Sequence, residues 1–240
     1  MMSGIAILPG ILIPALWIFL PLRKVPADRR LGTGVYIRSI LVGMTLTTVC
    51  IMLAELLWDR VTGIRPAEVT NRAEAVLCSF LRAALLEEGI KWFFVKRVLK
   101  KRKPADKLQY MLLAGTIGMG YGITEKLVLG PLAALTDAFF ALHIMFQFVM
   151  GACLYEAGQS REQRERKRAE GLAFLLPLCL HGLWDSILSV CTLGLEKEMT
   201  AAGVISLLLM LAAVIGALVG EIRMILYLRK LQTDPRQQAS

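Results

Sequence analysis

Residues 201–220 read AAGVISLLLMLAAVIGALVG, twenty residues without a charged side chain. A helix of about 20 apolar residues crosses roughly 30 Å of membrane hydrocarbon. Six further apolar blocks precede this one along the 240-residue chain, which is 56% hydrophobic and only 20% charged. Soluble proteins are roughly 45–50% apolar and about 25% charged. The excess apolar surface predicts an integral membrane protein, in which lipid replaces a large soluble core.

The apolar runs between charge clusters predict an all-α, polytopic bundle of about seven transmembrane helices. Their expected ranges are 4–22, 36–57, 74–95, 109–130, 137–156, 171–193 and 201–228. The first block lacks the basic region and cleavage site of a signal peptide, so we expect it to remain as a membrane anchor. No linker is long enough to separate two domains. We therefore expect one integral membrane domain over 1–240, with the site-bearing helices at roughly 74–193.

The distribution of Lys and Arg predicts the orientation of the bundle. Of 28 basic residues, three lie inside predicted helices and 21 lie in alternate connections and the tail. The opposite side has four, which are Arg60, Arg65, Arg72 and Lys197. Cytoplasmic loops are rich in Lys and Arg, so we expect a multi-pass cell-membrane protein with its N-terminus outside and its C-terminus in the cytoplasm. The same rule explains the net charge of +9 without a nucleic-acid partner, and we expect none.

Ionisable side chains interrupt four consecutive predicted helices, the third to the sixth. Such a group near a helix centre costs about 2.5–3.5 kcal/mol on insertion scales, so it requires a partner, a water-filled cavity or a function. In chain order the groups are Glu87, Glu88, Lys91, Glu125, His143, His181 and Asp185. Their succession on four helices predicts one shared site.

Spacing along the helices predicts which of these groups can meet. Glu87 and Lys91 are four residues apart on one face and can neutralise each other, whereas Glu88 points about 100° away. His181 and Asp185 are also four residues apart. Each histidine also has a purely structural interpretation, and the Glu87–Lys91 pair can be a helix-packing ion pair.

Three glycines, Gly118, Gly120 and Gly122, lie on one predicted helix just before Glu125. Small residues allow close approach to a helix backbone. They are therefore compatible either with packing of a neighbouring helix or with a groove for a substrate.

The four motifs together resemble the PrsW family of intramembrane proteases, which is related to the type II CAAX prenyl endopeptidases and more distantly to the APH subunit of gamma-secretase. The resemblance covers roughly 80–190. The motifs are Glu87-Glu88-Gly89-Ile90-Lys91, Tyr121-Gly-Ile-Thr-Glu125, His143 with Gly151, and His181-Gly-Leu-Trp184-Asp185. Two departures are Tyr121, where the family usually has Phe, and Lys126, where Asn is common.

The resemblance implies an endopeptidase that cleaves a membrane-anchored protein, such as a single-pass protein of the anti-sigma-factor type. A glutamate in an apolar site can take the proton of the attacking water. His143 and His181 can then hold the water and stabilise the oxyanion. Alternatively they bind a metal, with zinc as the candidate and Asp185 or Glu125 as a third ligand, because two His and one carboxylate form a known catalytic zinc set.

Two other functions fit the same buried groups. Glu, His and Asp side chains inside helices also form the relays of proton-coupled or ion-coupled transporters. Against a transporter, the sequence has no visible inverted repeat and no pair of broken helices. A non-catalytic membrane scaffold is the third alternative.

Counting residues from the predicted outer helix ends also gives a depth for each group. At about 1.5 Å per residue, Glu125 and His143 come out near 8–9 Å, and Glu87 and His181 near 18–19 Å. The site is then expected between the outer third and the middle of the membrane, with cleavage in the outer half of the substrate's span.

Overall fold

A computed structural model of the chain describes residues 2–25, 30–65, 69–129, 141–195 and 201–233. Within these ranges the structure is all-helical, without strands, which confirms the predicted fold class. Seven continuous helices are present in the described residues: α1 Met2–Arg23, α2 Thr33–Thr62, α3 over 72–102, α4 Lys107–Leu129, α5 Leu142–Gln159, α6 Gln163–Leu195 and α7 Ala201–Thr233.

The helix ends follow from local sequence signals. α2 stops before Gly63, which adopts the left-handed conformation that glycine tolerates (φ 70°). α3 begins after Asn71, whose side chain accepts a hydrogen bond of 2.9 Å from the backbone N–H of Glu74. It ends at Arg102, and the next residue, Lys103, adopts a left-handed conformation (φ 47°) directly before a proline. Asp106 then caps α4 by accepting from the backbone N–H of Gln109 at 2.8 Å.

Several helices run further than the apolar blocks predict. α3 continues to Arg102, α6 begins at Gln163 and α7 continues to Thr233, whereas the predicted ranges stop at 95, begin at 171 and stop at 228. Lys, Arg, Glu and Gln are good helix formers, so a helix need not end where the hydrocarbon ends. The difference therefore lies in the polar extensions and leaves the number of helices unchanged.

The fifth helix begins later than predicted. Ala141 is not helical and α5 starts at Leu142, while 137–140 lie outside the described residues. The backbone N–H of Ala141 donates to Glu221, twenty residues after the start of α7. α5 therefore begins beside a buried carboxylate of α7.

Lipid-facing surface is most evident on α7. Among the described residues, three helices are long and apolar enough to cross a membrane by length and composition, namely Thr33–Thr62, Gln163–Leu193 and Gly203–Thr233. In the last of these helices, only 6% of the most apolar 18-residue stretch is buried, and its outward-facing leucines are about half exposed. Such exposure is unfavourable in water and neutral in hydrocarbon, as expected for a membrane protein.

The centre of the bundle is α4. Met111, Leu112, Leu113, Ala114 and Ile117 cover all of its faces and are completely buried. A helix that is apolar on every side is enclosed by other helices. α4 thus sits between α2, α3 and α5 and carries Glu125 into the interior. The orientation of the bundle and its single-domain organisation remain predictions.

Candidate active site

Glu88 of α3 contacts side chains of its own helix and of two others, α5 and α6. One carboxylate oxygen, Oε1, accepts from Lys91 Nζ at 2.9 Å and lies 2.9 Å from Nδ1 of His181 on α6. The other oxygen, Oε2, accepts from the side-chain amide of Gln147 on α5 at 2.7 Å. Glu88 is 0% exposed, so the low dielectric around it strengthens each of these contacts. Both of its oxygens are committed to holding the site together.

Lys91 lies at the centre of the cluster and is also completely buried. Its ammonium donates to Glu87 Oε2 at 2.8 Å as well as to Glu88, and it lies 3.2 Å from Nδ1 of His143. The same ammonium lies 4.1 Å from the centre of the Tyr121 ring, within the range of a cation–π contact. The i,i+4 pair expected from the sequence is therefore present, and Lys91 additionally bonds Glu88.

The two histidines are arranged in the same way relative to the cluster. Each Nδ1 faces the buried groups, whereas Nε2 of His143 lies 2.7 Å from Glu125 Oε2 and Nε2 of His181 lies 3.2 Å from Asp185 Oδ2. Their ring centres are 5.4 Å apart. The four predicted helices thus do bring their ionisable groups together in one site.

A cavity of about 540 Å³ gives access to one side of this site. Glu87, Glu125 and Asp185, which we call the cavity layer, line it together with Tyr121. The side chains of Glu125 and Asp185 are 23% and 28% exposed. Behind them lies the buried layer, which consists of Glu88, Lys91, Gln147 and His181. Water and a peptide can therefore reach the cavity layer first.

An ion-pair group lies at the wall of the same cavity. Arg82 of α3 donates to Asp59 at 2.8 Å and 3.3 Å and to Glu55 at 3.1 Å, both on α2. Both helices contain a π-helical segment here, Gly43–Thr47 in α2 and Cys78–Ala84 in α3. Such segments are frequent beside functional sites because they widen the helix locally.

The glycines of α4 serve helix packing. A Cβ on Gly118 would collide with the backbone oxygen of His143, and one on Gly120 with the backbone oxygen of Ile40. A Cβ on Gly122 would come within 3.2 Å of the His143 ring. The glycines therefore let α5 and α2 approach α4, and they fix where His143 lies.

Two polar residues of the site were missed by the sequence analysis. Gln147 is four residues after His143 and is fully buried against Glu88. Glu221 of α7, 8% exposed, accepts the backbone N–H of Ala141 at 2.7 Å, directly before α5 and His143. A polar side chain in an apolar run was the available signal for both residues. Neither matches a motif, and Glu221 lies close to the basic tail.

The carboxylates and imidazoles of this site are groups that can bind a metal ion. Glu87, Glu88, His143 and His181 each offer one ligand atom, and these four atoms lie within 4.8 Å of one another. Carboxylate oxygen and imidazole nitrogen are ordinary zinc ligands. The ammonium of Lys91 already contacts three of these four residues. A metal would therefore compete with Lys91 for these side chains.

Comparison with known proteins agrees with the motif resemblance. The family model described as "PrsW family intramembrane metalloprotease" matches residues 32–219. A Protease PrsW of Clostridioides difficile is 28% identical over 167 residues, covering 64% of this chain and 67% of the relative. A Protease PrsW of Oceanobacillus iheyensis is 31% identical over 140 residues, covering 54% and 64%. One of Geobacillus kaustophilus is 29% identical over 131 residues, covering 48% and 56%. No solved structure matches the chain.

Proposed function

Because the chain belongs to the PrsW family of intramembrane metalloproteases, we propose that it is an endopeptidase whose catalytic groups are clustered around Lys91. Membership in this family supports a membrane peptidase over a coupled transporter or a non-catalytic scaffold. One observation carries the assignment of the site. The Glu87 carboxylate lines an open cavity while the buried ammonium of Lys91 holds one of its oxygens at 2.8 Å.

Glu87 is the general base in this proposal. A base must reach the water that attacks the substrate, and Glu87, although only 5% exposed, lines the cavity, whereas Glu88 does not line it and has both oxygens occupied. Glu88 instead holds Lys91 and His181 in position. The sequence alone left open which of the two glutamates takes the proton.

The proposed reaction is an ordinary peptide hydrolysis. Glu87 accepts a proton from a water molecule, and the water oxygen bonds to the carbonyl carbon of the substrate. The C–N bond then breaks, and the proton held by Glu87 passes to the leaving amine nitrogen. One new carboxyl group, which keeps the second proton of the water, and one new amine result.

His143 and His181 supply the donors for the oxyanion formed during attack. Their Nε2 atoms face the cavity-layer carboxylates Glu125 and Asp185, so these nitrogens lie on the side from which a substrate arrives. An N–H group aimed at a developing negative charge contributes most in a site that excludes water. Before substrate binds, Glu125 and Asp185 lie next to these two nitrogens, and the oxyanion would replace them there.

A metal, with zinc as our candidate, fits the same residues by ligand type. His143, His181 and Glu88 would hold it, the ion replacing the contact of Glu88 with Lys91, and Glu87 would remain the base. A bound zinc ion lowers the pKa of a coordinated water and polarises a carbonyl oxygen.

The substrate we propose is a membrane-anchored protein, by family resemblance a single-pass protein of the anti-sigma-factor type. Its span would enter beside α2 and α3, whose residues form one wall of the cavity. A peptide bond inside a regular helix is shielded by backbone hydrogen bonds, so cleavage requires a segment where the substrate helix ends or unwinds. We propose a multi-pass location in the cell membrane.

The test is cleavage by the purified full-length chain in detergent, using a panel of single-span peptides. We expect at least one peptide to be cut by the wild type and by Glu165→Gln, which changes an exposed glutamate of α6. Glu87→Gln should cut none at a measurable rate. If no peptide is cut, or if Glu87→Gln cuts as fast as the wild type, the proposal is wrong.

Metal dependence is tested in the same assay. The metal content of the protein is measured by mass spectrometry before and after a chelator is added. Loss of cleavage together with loss of a stoichiometric metal, and recovery with zinc, would support a zinc enzyme. Cleavage that persists in metal-free protein would show that the reaction needs no metal.

A further inference from the structure

A second cavity, of about 640 Å³, lies further along α3 than the catalytic cluster, in the direction of its C-terminal end. Residues of α3, α4, α5 and α6 line it. Four of the lining side chains are basic: Lys96, Arg97, Lys100 and Arg166. Glu170 is the single carboxylate among the described lining residues, which leaves an excess of three positive charges.

Glu170 neutralises this charge only in part. Its carboxylate lies 3.5 Å from Lys96 and 3.6 Å from Arg166, longer than the 2.7–2.9 Å typical of charge-assisted hydrogen bonds. Arg97 and Lys100 are exposed. The cavity therefore presents a cluster of cations to whatever occupies it.

Aromatic side chains form the wall next to these cations. Lys96 Nζ lies 4.4 Å from the centre of the Trp92 ring, which keeps the ammonium at the cavity. The buried Trp92 Nε1 has no acceptor among the described residues. Phe93 and Tyr110 also line the cavity. Aromatic rings beside Lys and Arg are typical of the headgroup level of a bilayer.

We propose that this cavity binds the phosphate of an anionic phospholipid. Basic pockets between transmembrane helices on the cytoplasmic side are suited to acidic headgroups. The cations lie on the side that the count of basic residues assigns to the cytoplasm, where the leaflet is negatively charged. Arg97 and Arg166 can each grip a phosphate through two N–H groups, and exposed Phe93 gives the acyl chains an apolar surface. This site is separate from the proposed peptidase centre.

The experiment uses the full chain in nanodiscs of phosphatidylcholine with a minor fraction of phosphatidylglycerol. Native mass spectrometry measures how much of each lipid stays bound. The test variant is Lys96→Gln with Arg97→Gln and Lys100→Gln. Its matched control is Arg161→Gln with Arg164→Gln and Lys167→Gln, three exposed basic residues that do not line the cavity.

We expect the test variant to lose about tenfold or more of its bound phosphatidylglycerol, and the control to stay within about twofold of the wild type. Equal losses in both variants would mean that only diffuse surface charge attracts the lipid, and would overturn the proposal. Equal retention of phosphatidylcholine by the wild type would also overturn it.

Two further arms make the result specific. Millimolar inorganic phosphate should leave the bound lipid in place. Displacement would show a site for free phosphate and would overturn the lipid assignment. Arg97→Gln with Lys100→Gln removes two exposed side chains, so it provides a test even if the triple variant does not fold.

Discussion

Glu87 and Glu88 are neighbours in the sequence, but only Glu87 lines the cavity, whereas Glu88 is completely buried. Both accept a hydrogen bond from Lys91. Glu88 also accepts from Gln147 and contacts His181 through its two oxygens. A difference of about 100° in helical direction thus separates a carboxylate that can meet water from one that organises the interior.

Glutamine substitutions should therefore have different effects at these two positions. Glu87→Gln is expected to lower the cleavage rate by roughly 10²–10⁴ because it removes the base, and to lower the melting temperature less than Glu88→Gln, because Glu88 contacts Lys91, Gln147 and His181. Glu88→Gln is expected to lower the melting temperature as well, because breaking a buried ion pair costs about 3–5 kcal/mol. Peptide cleavage and thermal unfolding in detergent measure the two effects. A reversed pattern would make Glu88 the base.

His143 and His181 should behave as one unit, because their rings are 5.4 Å apart and both contact the same cluster. Alanine at either position is expected to abolish most cleavage, with the double variant little slower than either single variant. Groups that act in one step are strongly non-additive. The measurement is a double-mutant cycle on the cleavage rate. Losses that multiply would instead indicate separate structural roles.

Gly118 is expected to tolerate no larger side chain, because a Cβ there meets the backbone of His143. Gly118→Ala should displace α5 from α4 and lower the stability by about 1–3 kcal/mol, with a loss of cleavage. Gly89→Ala is the matched control, since its Cβ would meet only Phe174 at an ordinary 3.8 Å. Unfolding and cleavage of both variants test this. Equal behaviour of the two would contradict the packing described for α4 and α5.

Glu221 is expected to be a positioning residue for His143. Its carboxylate accepts the N–H at the start of α5, two residues before His143. Glu221→Ala should therefore reduce kcat more than it raises KM, and Glu221→Gln, which keeps an acceptor oxygen, should recover much of the loss. Steady-state kinetics of the two variants separates this role from general destabilisation. If Glu221→Gln restores the melting temperature but not kcat, the contact of Glu221 is only structural.

The scissile bond is expected in the outer half of the substrate's span or just outside it. The cavity is lined by the part of α3 that precedes Lys91, which the predicted orientation places toward the outside. Mass spectrometry of the products identifies the cut.

The orientation of the bundle has its own test. Reporter fusions after Lys103 and Arg168 should report the cytoplasm, and those near Thr62 and Lys197 should report the outside. A cut at the cytoplasmic boundary would mean that the orientation or the site is misassigned.

The sequence by itself determined the fold class, the number of helices and the family. Hydrophobic length is a local property, so the block at 201–220 predicts a helix without knowledge of its neighbours. The cost of an isolated charge in hydrocarbon is similarly local, which is why Glu87, Lys91, Glu125 and His181 were recognisable as members of one site.

Only the tertiary structure decided how these groups are connected. Glu88 bonds Gln147 across 59 positions and His181 across 93, and no periodicity within one helix encodes such contacts. His143 likewise bridges Glu125 to Lys91 within hydrogen-bond distances, although the three residues lie on three different helices. Glu221 of a distant helix accepts the N–H of Ala141, directly before α5, so the position of His143 depends on a contact across 80 positions.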